Sequence, residues 1–344
     1  MVRMRLVGLL NKEKKMKKYL LILLVFALSF SACQKKKEKK EEKRFTYADV
    51  KIPSFNQDSA FLYVKTQCDF GPRAPQTKAH NLCENYIVSF FEKIADTVIR
   101  QKFYTKLYNE KNVEGVNIIA SFNSSKTERI LLAAHWDSRL WADNDPDEKN
   151  WHSPIIGAND GASGVGVLME IARCIKEDMP NIGVDIVLFD LEDQGAPNWD
   201  ETSNIMDQSD WCLGSQYWSK NPHKPFYQAR FGILLDMVGY HKPCFTKEEQ
   251  SNYYASSILN NVWNMAFDRG YGSIFINELT GGVMDDHVWV NQNLNIPMID
   301  IVQHDRTTSF FPFWHTIKDD ISCISPNTLK IVGEVCLTAI YSAQ

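Results

Sequence analysis

Apolar and polar positions along this chain follow two periods, and the switches between them mark an alternating order of helices and strands. Between 78 and 95, Leu82, Tyr86, Ile87, Phe90, Phe91 and Ile94 recur at helical spacing, which predicts a helix there. Segments rich in β-branched, aromatic and other apolar residues predict strands at 98–104, 116–122, 130–134, 184–189, 231–235 and 297–302. The polar turn Asn123-Ser124-Ser125-Lys126 separates the second of these from the third. Helical spacing returns near 164–176, 254–268 and 326–341. No internal repeat and no second linker interrupt the order. One α/β domain accounts for it, with a mixed, mostly parallel central sheet flanked by helices and a few antiparallel edge strands.

The first 44 residues stand outside that pattern. From Met16 the chain reads MKKYLLILLVFALSFSAC, a Lys pair, a short apolar run and then Ser31-Ala32-Cys33. This is the layout of a secretory signal, too short and wrongly flanked for a spanning helix. The alternative is a buried or interfacial N-terminal helix. Small residues directly before a cysteine resemble a bacterial lipobox, which implies cleavage before Cys33 and lipidation of Cys33. Met16 is the expected true start, so 1–33 reads as signal peptide. Residues 34–44, QKKKEKKEEKR, have no apolar face and read as a solvated tether to a domain at 45–344. The expected location is the periplasm or cell envelope, with the lipid anchor as the sole membrane contact.

Composition narrows the picture further. With 344 residues, 44% of them hydrophobic, the chain can bury a large core. A net charge of -4 gives no case for nucleic acid. Apart from Cys33, seven cysteines remain with no CxxC pair. We expect neither a structural zinc knot nor a disulfide framework, although an envelope location would permit one bridge.

Four strands run into polar residues at their carboxyl ends, where open α/β sheets bind ligands. They lead into His135-Trp136-Asp137, into Asp190-Leu191-Glu192-Asp193, into Asp236, and into a loop that reaches Trp314-His315. Between the first two strands lies GANDGASG at 157–164, whose small residues allow a close turn into the next helix, with Asp160 at its start. Asp and His in such a set suit zinc, which in catalytic sites keeps three protein ligands and one open position. Singly, His135 could be a satisfied strand-end histidine, Asp160 a helix N-cap and Asp236 a turn former. The acidic stretch 141–147 reads as a solvated surface loop in preference to a calcium site. Arg139 could meet substrate or form a structural ion pair, and His287, His304 and Asp319 have no assigned role.

HWDS, GANDGASG, the strand ending in Glu-Asp, LLDMVG, DDHVWV and FWHT together resemble the zinc aminopeptidase-like superfamily. Within it they are similar to the animal-type glutaminyl cyclases, from about Phe70-Gly71-Pro72-Arg73 to the C-terminus. The resemblance implies one zinc per chain, held by Asp160, Asp193 and His315. Animal members usually carry Glu where this chain has Asp193, and a disulfide cysteine where it has Ala134. Glu192 falls on the general acid/base, with Asp236 and Asp285 as neighbouring catalytic carboxylates. Trp199, Phe310 and Trp314 match pocket aromatics, Phe311 and Phe313 being alternatives for Phe310. Val283 and Met284 fall in the substrate-lining stretch.

That resemblance implies conversion of an N-terminal glutamine of peptides or proteins to pyroglutamate with release of ammonia. The substrate's own α-amine attacks its side-chain amide carbon, zinc polarises the γ-carbonyl and Glu192 carries the proton. The competing reading is a zinc aminopeptidase of the same fold, in which His135 and Asp236 hold a second metal instead of orienting groups around the first.

Overall fold

The computed structural model describes residues 12–19, 46–109, 111–200, 209–305 and 310–343. They fall in two units, Met1–Phe45 and Thr46–Gln344. In the first, residues 12–19 are helical, and the expected lipidation site Cys33 and the tether at 34–44 lie outside the described residues. Among the described residues no helix is long and apolar enough to cross a membrane.

The second unit is built on strands β1 (Thr97–Lys106), β2 (Asn112–Phe122), β3 (Arg129–His135), β4 (Gly183–Phe189), β5 (Gly232–Asp236), β6 (Phe245–Glu248), β7 (Phe275–Thr280) and β8 (Met298–Val302). Six of them form the central sheet in the order β1-β2-β4-β3-β5-β8, while β6 and β7 pair separately. β1/β2 and β2/β4 are antiparallel, and β4/β3, β3/β5 and β5/β8 are parallel. The expected mostly parallel sheet with antiparallel edge strands is therefore the one observed. β3 pairs with β4 up to His135↔Phe189, and β5 with β8 up to Asp236↔Val302, so these strands end at one edge.

Helices α1 (Gln57–Asp69), α2 (Lys78–Phe91), α3 (Ala162–Glu177), α4 (Leu213–Lys220), α5 (Glu249–Asp268), α6 (Asp286–Leu294) and α7 (Pro326–Ser342) cover both faces. Side chains alternate across a strand, and the two faces show it. Leu132, Ala134, Ile186, Leu188, Ile233 and Ile301 pack with α1, α2, α3, α5 and α7. Leu131, Ala133, Val187, Phe189 and Leu234 meet Trp218 of α4 and Val290 of α6. Local signals set the helix starts. Asn56 caps α1, Thr77 caps α2, and Ser325 caps α7 with Pro326 in the first turn, where its missing N–H costs nothing.

Buried acids, Asp185 of β4 and Asp300 of β8, interrupt the second face. Asp185 in β4 is fully buried and accepts from Arg129 Nη2 at 2.7 Å, Ser121 Oγ at 2.5 Å and Tyr227 OH at 2.9 Å. Asp185→Asn should lower stability by about 3–5 kcal/mol, because it leaves the Arg129 guanidinium buried without its counter-ion. Burial alone would raise the Asp185 pKa, but Arg129 and Ser121 hold it below the usual carboxylate value. The contribution is full above the unfolded-state pKa of ~3.9 and is lost as pH falls through the lower folded-state value. Thermal melts of wild type and variant should therefore converge on acidification.

Candidate metal and catalytic site

At the carboxyl edge of β3, β4, β5 and β8 the chain turns sharply, and three non-glycine residues adopt left-handed backbone there: Leu191 (φ 57°), Met237 (φ 50°) and His315 (φ 54°). Such conformations cost roughly 1–3 kcal/mol each and persist only where their surroundings hold them. After β4 that hold is visible. Asp190 accepts the Leu191 and Val116 N–H groups at 2.9 and 2.7 Å and pairs with His80 Nε2 at 2.9 Å. Asp137 accepts the N–H groups of Glu192 and Asp193 at 3.1 and 3.3 Å. Cys212 and Leu213 donate their N–H groups to the carbonyls of Glu192 and Leu191 at 2.9 and 3.0 Å. The strand's terminal carboxylates are thus aimed by a fixed frame.

Asp160, Asp193 and His315 come together: His315 Nε2 lies 3.0 Å from Asp193 Oδ1 and 3.7 Å from Asp160 Oδ2. Gly161, and not Asp160, occupies the N-cap of α3, so the Asp160 carboxylate is released from capping. Asp160 Oδ2 and Asp193 Oδ2 are buried with no hydrogen-bond partner among the described residues. Two orphaned carboxylate oxygens and an imidazole nitrogen facing one space are a donor set that zinc takes readily. A second set, His135, Asp160 and Asp236, shares Asp160. His135 Nε2 lies 3.1 Å from both Asp160 Oδ1 and Asp236 Oδ1.

Glu192 sits beside these groups, one polar atom each of Glu192, Cys212 and Asp285 lying within 4.8 Å of one another. Cys212 Sγ donates to Glu192 Oε1 at 3.4 Å. Burial, reinforced by Asp285, Asp193 and Asp286 and opposed by His135, pushes the Glu192 pKa well above the usual range. Burial and Asp160 likewise raise Asp236 to about 7, against the pull of His135. Burial and Asp160 raise Asp193 to about 6, against His315. A cluster with this excess of buried acid calls for positive charge, which a divalent cation among Asp160, Asp193 and His315 would supply.

The cavity above the cluster has a volume of about 220 Å³, and its wall includes Glu192, Asp236, Asp285, Val283, Met284 and the rings of Trp211, Phe310 and Trp314. Of the alternatives left by the sequence, Phe310 takes the wall, while Phe311 and Phe313 pack against Tyr240. Trp199 requires a correction. It stacks on Trp151 at 6.0 Å between ring centroids, with Trp141 and His152 edge-on at 5.7 and 4.5 Å, away from the cavity wall. Trp211, after a longer excursion from Asp193, faces the cavity in its place.

Loop 141–147 also departs from expectation. Asp143 and Asp145 are only 4% and 5% exposed. Asp145 Oδ1 accepts from Asn150 Nδ2 at 3.0 Å and its Oδ2 accepts the Ile317 N–H at 3.2 Å. Asp143 makes a two-pronged pair with Arg139, at 2.8 and 2.6 Å, and lies 3.4 Å from His315 Nδ1. Arg139 is thus a structural ion-pair residue. Asp143 sits where it can hold the His315 ring with Nε2 turned toward Asp160 and Asp193. His287 lies 3.3 Å from Glu248, and His304 Nδ1 is 2.9 Å from Thr280 Oγ1, both outside the cavity wall.

Known proteins with this architecture give the geometry a setting. A glutaminyl cyclase of Bacteroides thetaiotaomicron, solved with N-acetylhistamine bound, is 48% identical, with a TM-score of 0.84 over 86% of this chain and 100% of that one. A Zn-dependent exopeptidase from Parabacteroides distasonis is 46% identical, with a TM-score of 0.81 over 85% of this chain and 99% of that one. The glutaminyl-peptide cyclotransferase of Dictyostelium discoideum is 21% identical over 92% of this chain and 97% of its own length. The sequence model of peptidase family M28 matches residues 117–340, which span every strand end that contributes to the site. On that match, the chain belongs to peptidase family M28.

Proposed function

We propose that this chain is a zinc-dependent glutaminyl-peptide cyclotransferase that converts the N-terminal Gln of peptides or proteins to pyroglutamate. The observation that carries the reading is the 48% identity to a glutaminyl cyclase along that protein's entire length. The site supports it: a small aromatic cavity places a partly buried carboxylate, Glu192, beside a zinc-type donor set. One zinc per chain would be held by Asp160, Asp193 and His315. Bound there, it would supply a Lewis acid for the γ-carbonyl of the substrate.

The remaining work falls to the chain's own side chains. Glu192 takes the proton from the substrate's α-amine and returns it to departing ammonia. Burial, with Asp285 beside it, raises the affinity of that carboxylate for a proton, as a group that must both accept and donate requires, and Asp236 stands on the same cavity wall. Trp211, Phe310 and Trp314 exclude water and favour a folded-back glutamine side chain, which brings amine and amide carbon into reach. No water molecule has to be activated, because the nucleophile belongs to the substrate. Incubation with a Gln-peptide tests the reading: the product should be lighter by one ammonia with every peptide bond intact.

Two observations favour the aminopeptidase reading, the second donor set of His135, Asp160 and Asp236 and the 46% identity to a Zn-dependent exopeptidase. In the cyclase reading His135 holds Asp160 and Asp236 in place by hydrogen bonding. Trp211 also separates the two tryptophans by role. Trp211→Ala should raise KM for a Gln-peptide by roughly tenfold or more, from about 1.5–3 kcal/mol of lost apolar contact, while Trp199→Ala leaves KM unchanged.

The location proposed is the cell envelope, through a lipid on Cys33, where newly exported proteins with an exposed N-terminal Gln would be the substrates. Fractionation of cells making Cys33→Ser tests the anchor. The substituted chain should move to the soluble fraction, and its retention in membranes would rule the lipid out.

A further inference from the structure

Two buried charges flank the loop that carries Asp160, and neither takes part in the chemistry above. Arg73 is fully buried and donates to three carbonyls: Nε to Trp136 at 2.9 Å, Nη1 to Ile156 at 2.7 Å and Nη2 to Gly157 at 2.7 Å. Asp319, also fully buried, accepts the Asn159 N–H on Oδ1 at 2.7 Å and the Asp160 N–H on Oδ2 at 3.0 Å. Its own carbonyl accepts the Ala158 N–H at 3.2 Å. The loop needs this help. Gly157 and Gly161 sit at φ 61° and 93°, and a Cβ on Gly157 would lie 2.5 Å from the Asp160 carbonyl oxygen and 3.2 Å from Arg73 Nη2. So tight a path leaves carbonyls orphaned at one end and N–H groups at the other, all away from water. A guanidinium has only donors and a carboxylate only acceptors, so each suits the end it occupies.

We infer that Arg73 and Asp319 are paired positioning residues that set where Asp160 presents its carboxylate, and through it how tightly the metal is held. Asp160 belongs to both donor sets, so a shift of its backbone loosens either one. Neither charged residue lies on the cavity wall, and their action runs through the main chain of 156–160. The inference rests on the metal reading of Asp160, Asp193 and His315, and it holds whichever reaction the site performs.

Zinc dissociation constants of the folded apo-protein, measured by competition with a fluorescent chelator, test the pair in Asp319→Asn and Arg73→Lys. Asn at 319 keeps the shape but turns an N–H donor toward a backbone N–H. Lys at 73 keeps the charge but cannot reach three carbonyls. Each should weaken zinc binding by about 10–100-fold. Asp185→Asn, remote from the loop, is the control for general destabilisation: it should lower the melting temperature and bind zinc as the wild type does. Wild-type zinc affinity in both variants would overturn the inference, as would equal weakening in the control. If one variant fails to fold, the other decides. A wild-type chain that binds no zinc would overturn the metal reading itself.

Discussion

Glu192→Gln should lower kcat for cyclisation of an N-terminal glutamine by about 10²–10⁴-fold, the usual contribution of a positioned general acid–base group. The substitution keeps the shape of the side chain and can still accept from Cys212 Sγ. It removes only the capacity to carry a proton from amine to ammonia. KM and zinc content should therefore hold, which separates this loss from damage to the fold. The raised pKa of Glu192 adds a sign to the pH profile. The group must be deprotonated to accept the amine proton, so wild-type activity should fall as pH drops through that value. In Glu192→Gln the residual activity should lose this limb. An undiminished kcat in the variant would remove Glu192 from the reaction.

The second large effect concerns the metal. His315→Ala should weaken zinc binding by about 10²–10³-fold, taking one ligand as ~3–4 kcal/mol of a site worth roughly 10–16 kcal/mol in all. Cyclisation should fall in parallel and recover only in part with added zinc. Asp143→Asn should act in the same direction and more weakly, because Asp143 holds His315 from behind at 3.4 Å. Equilibrium dialysis with metal analysis reads both. A His315→Ala chain that keeps its zinc would place the metal in the His135, Asp160 and Asp236 set instead.

What the sequence made legible was whatever local periodicity or strand-end position encodes. In β2, β3, β4, β5 and β8 apolar residues dominate and mark each strand, whereas β1 is polar over more than half its length and is marked only by its β-branched and aromatic positions. Helices α1, α4 and α6 were not legible. In α1 the buried positions are Ala60, Val64 and Gln67, too few and too small to mark a face. The Val288-Trp289-Val290 stretch of α6 is a β-branched and aromatic run, the composition of a strand. β6 and β7 are short, polar-flanked segments whose pairing joins positions 30 residues apart, as in Phe245↔Phe275, so nothing local specifies them.

The polar set at the strand ends was legible because α/β topology sends parallel strand ends to one edge, and the structure brings Asp160, Glu192, Asp193, Asp236, Asp285 and His315 to one place. Trp211 was missed because the chain between Asp193 and Trp211 carries no periodicity to measure a register by, and Trp199 was nearer. An acidic, loop-like stretch predicts Asp143 and Asp145 to be solvated, and both are buried. Their partners Arg139, His315 and Ile317 show that loop composition alone cannot tell a surface acid from a buried one. Arg73 and Asp319 had no local signature either, since their partners are main-chain groups far away in sequence.

The measurement that bears most directly on the central claim is a zinc titration of the apo-protein, from none to two equivalents, with a Gln-peptide and a Leu-peptide assayed at every point. Ammonia release from the Gln-peptide should rise to a plateau at one equivalent, and no free amino acid should appear from either peptide at any point. Release of free leucine that grows between the first and second equivalents would contradict the account. It would mean that His135, Asp160 and Asp236 hold a second metal and that this site cuts peptide bonds.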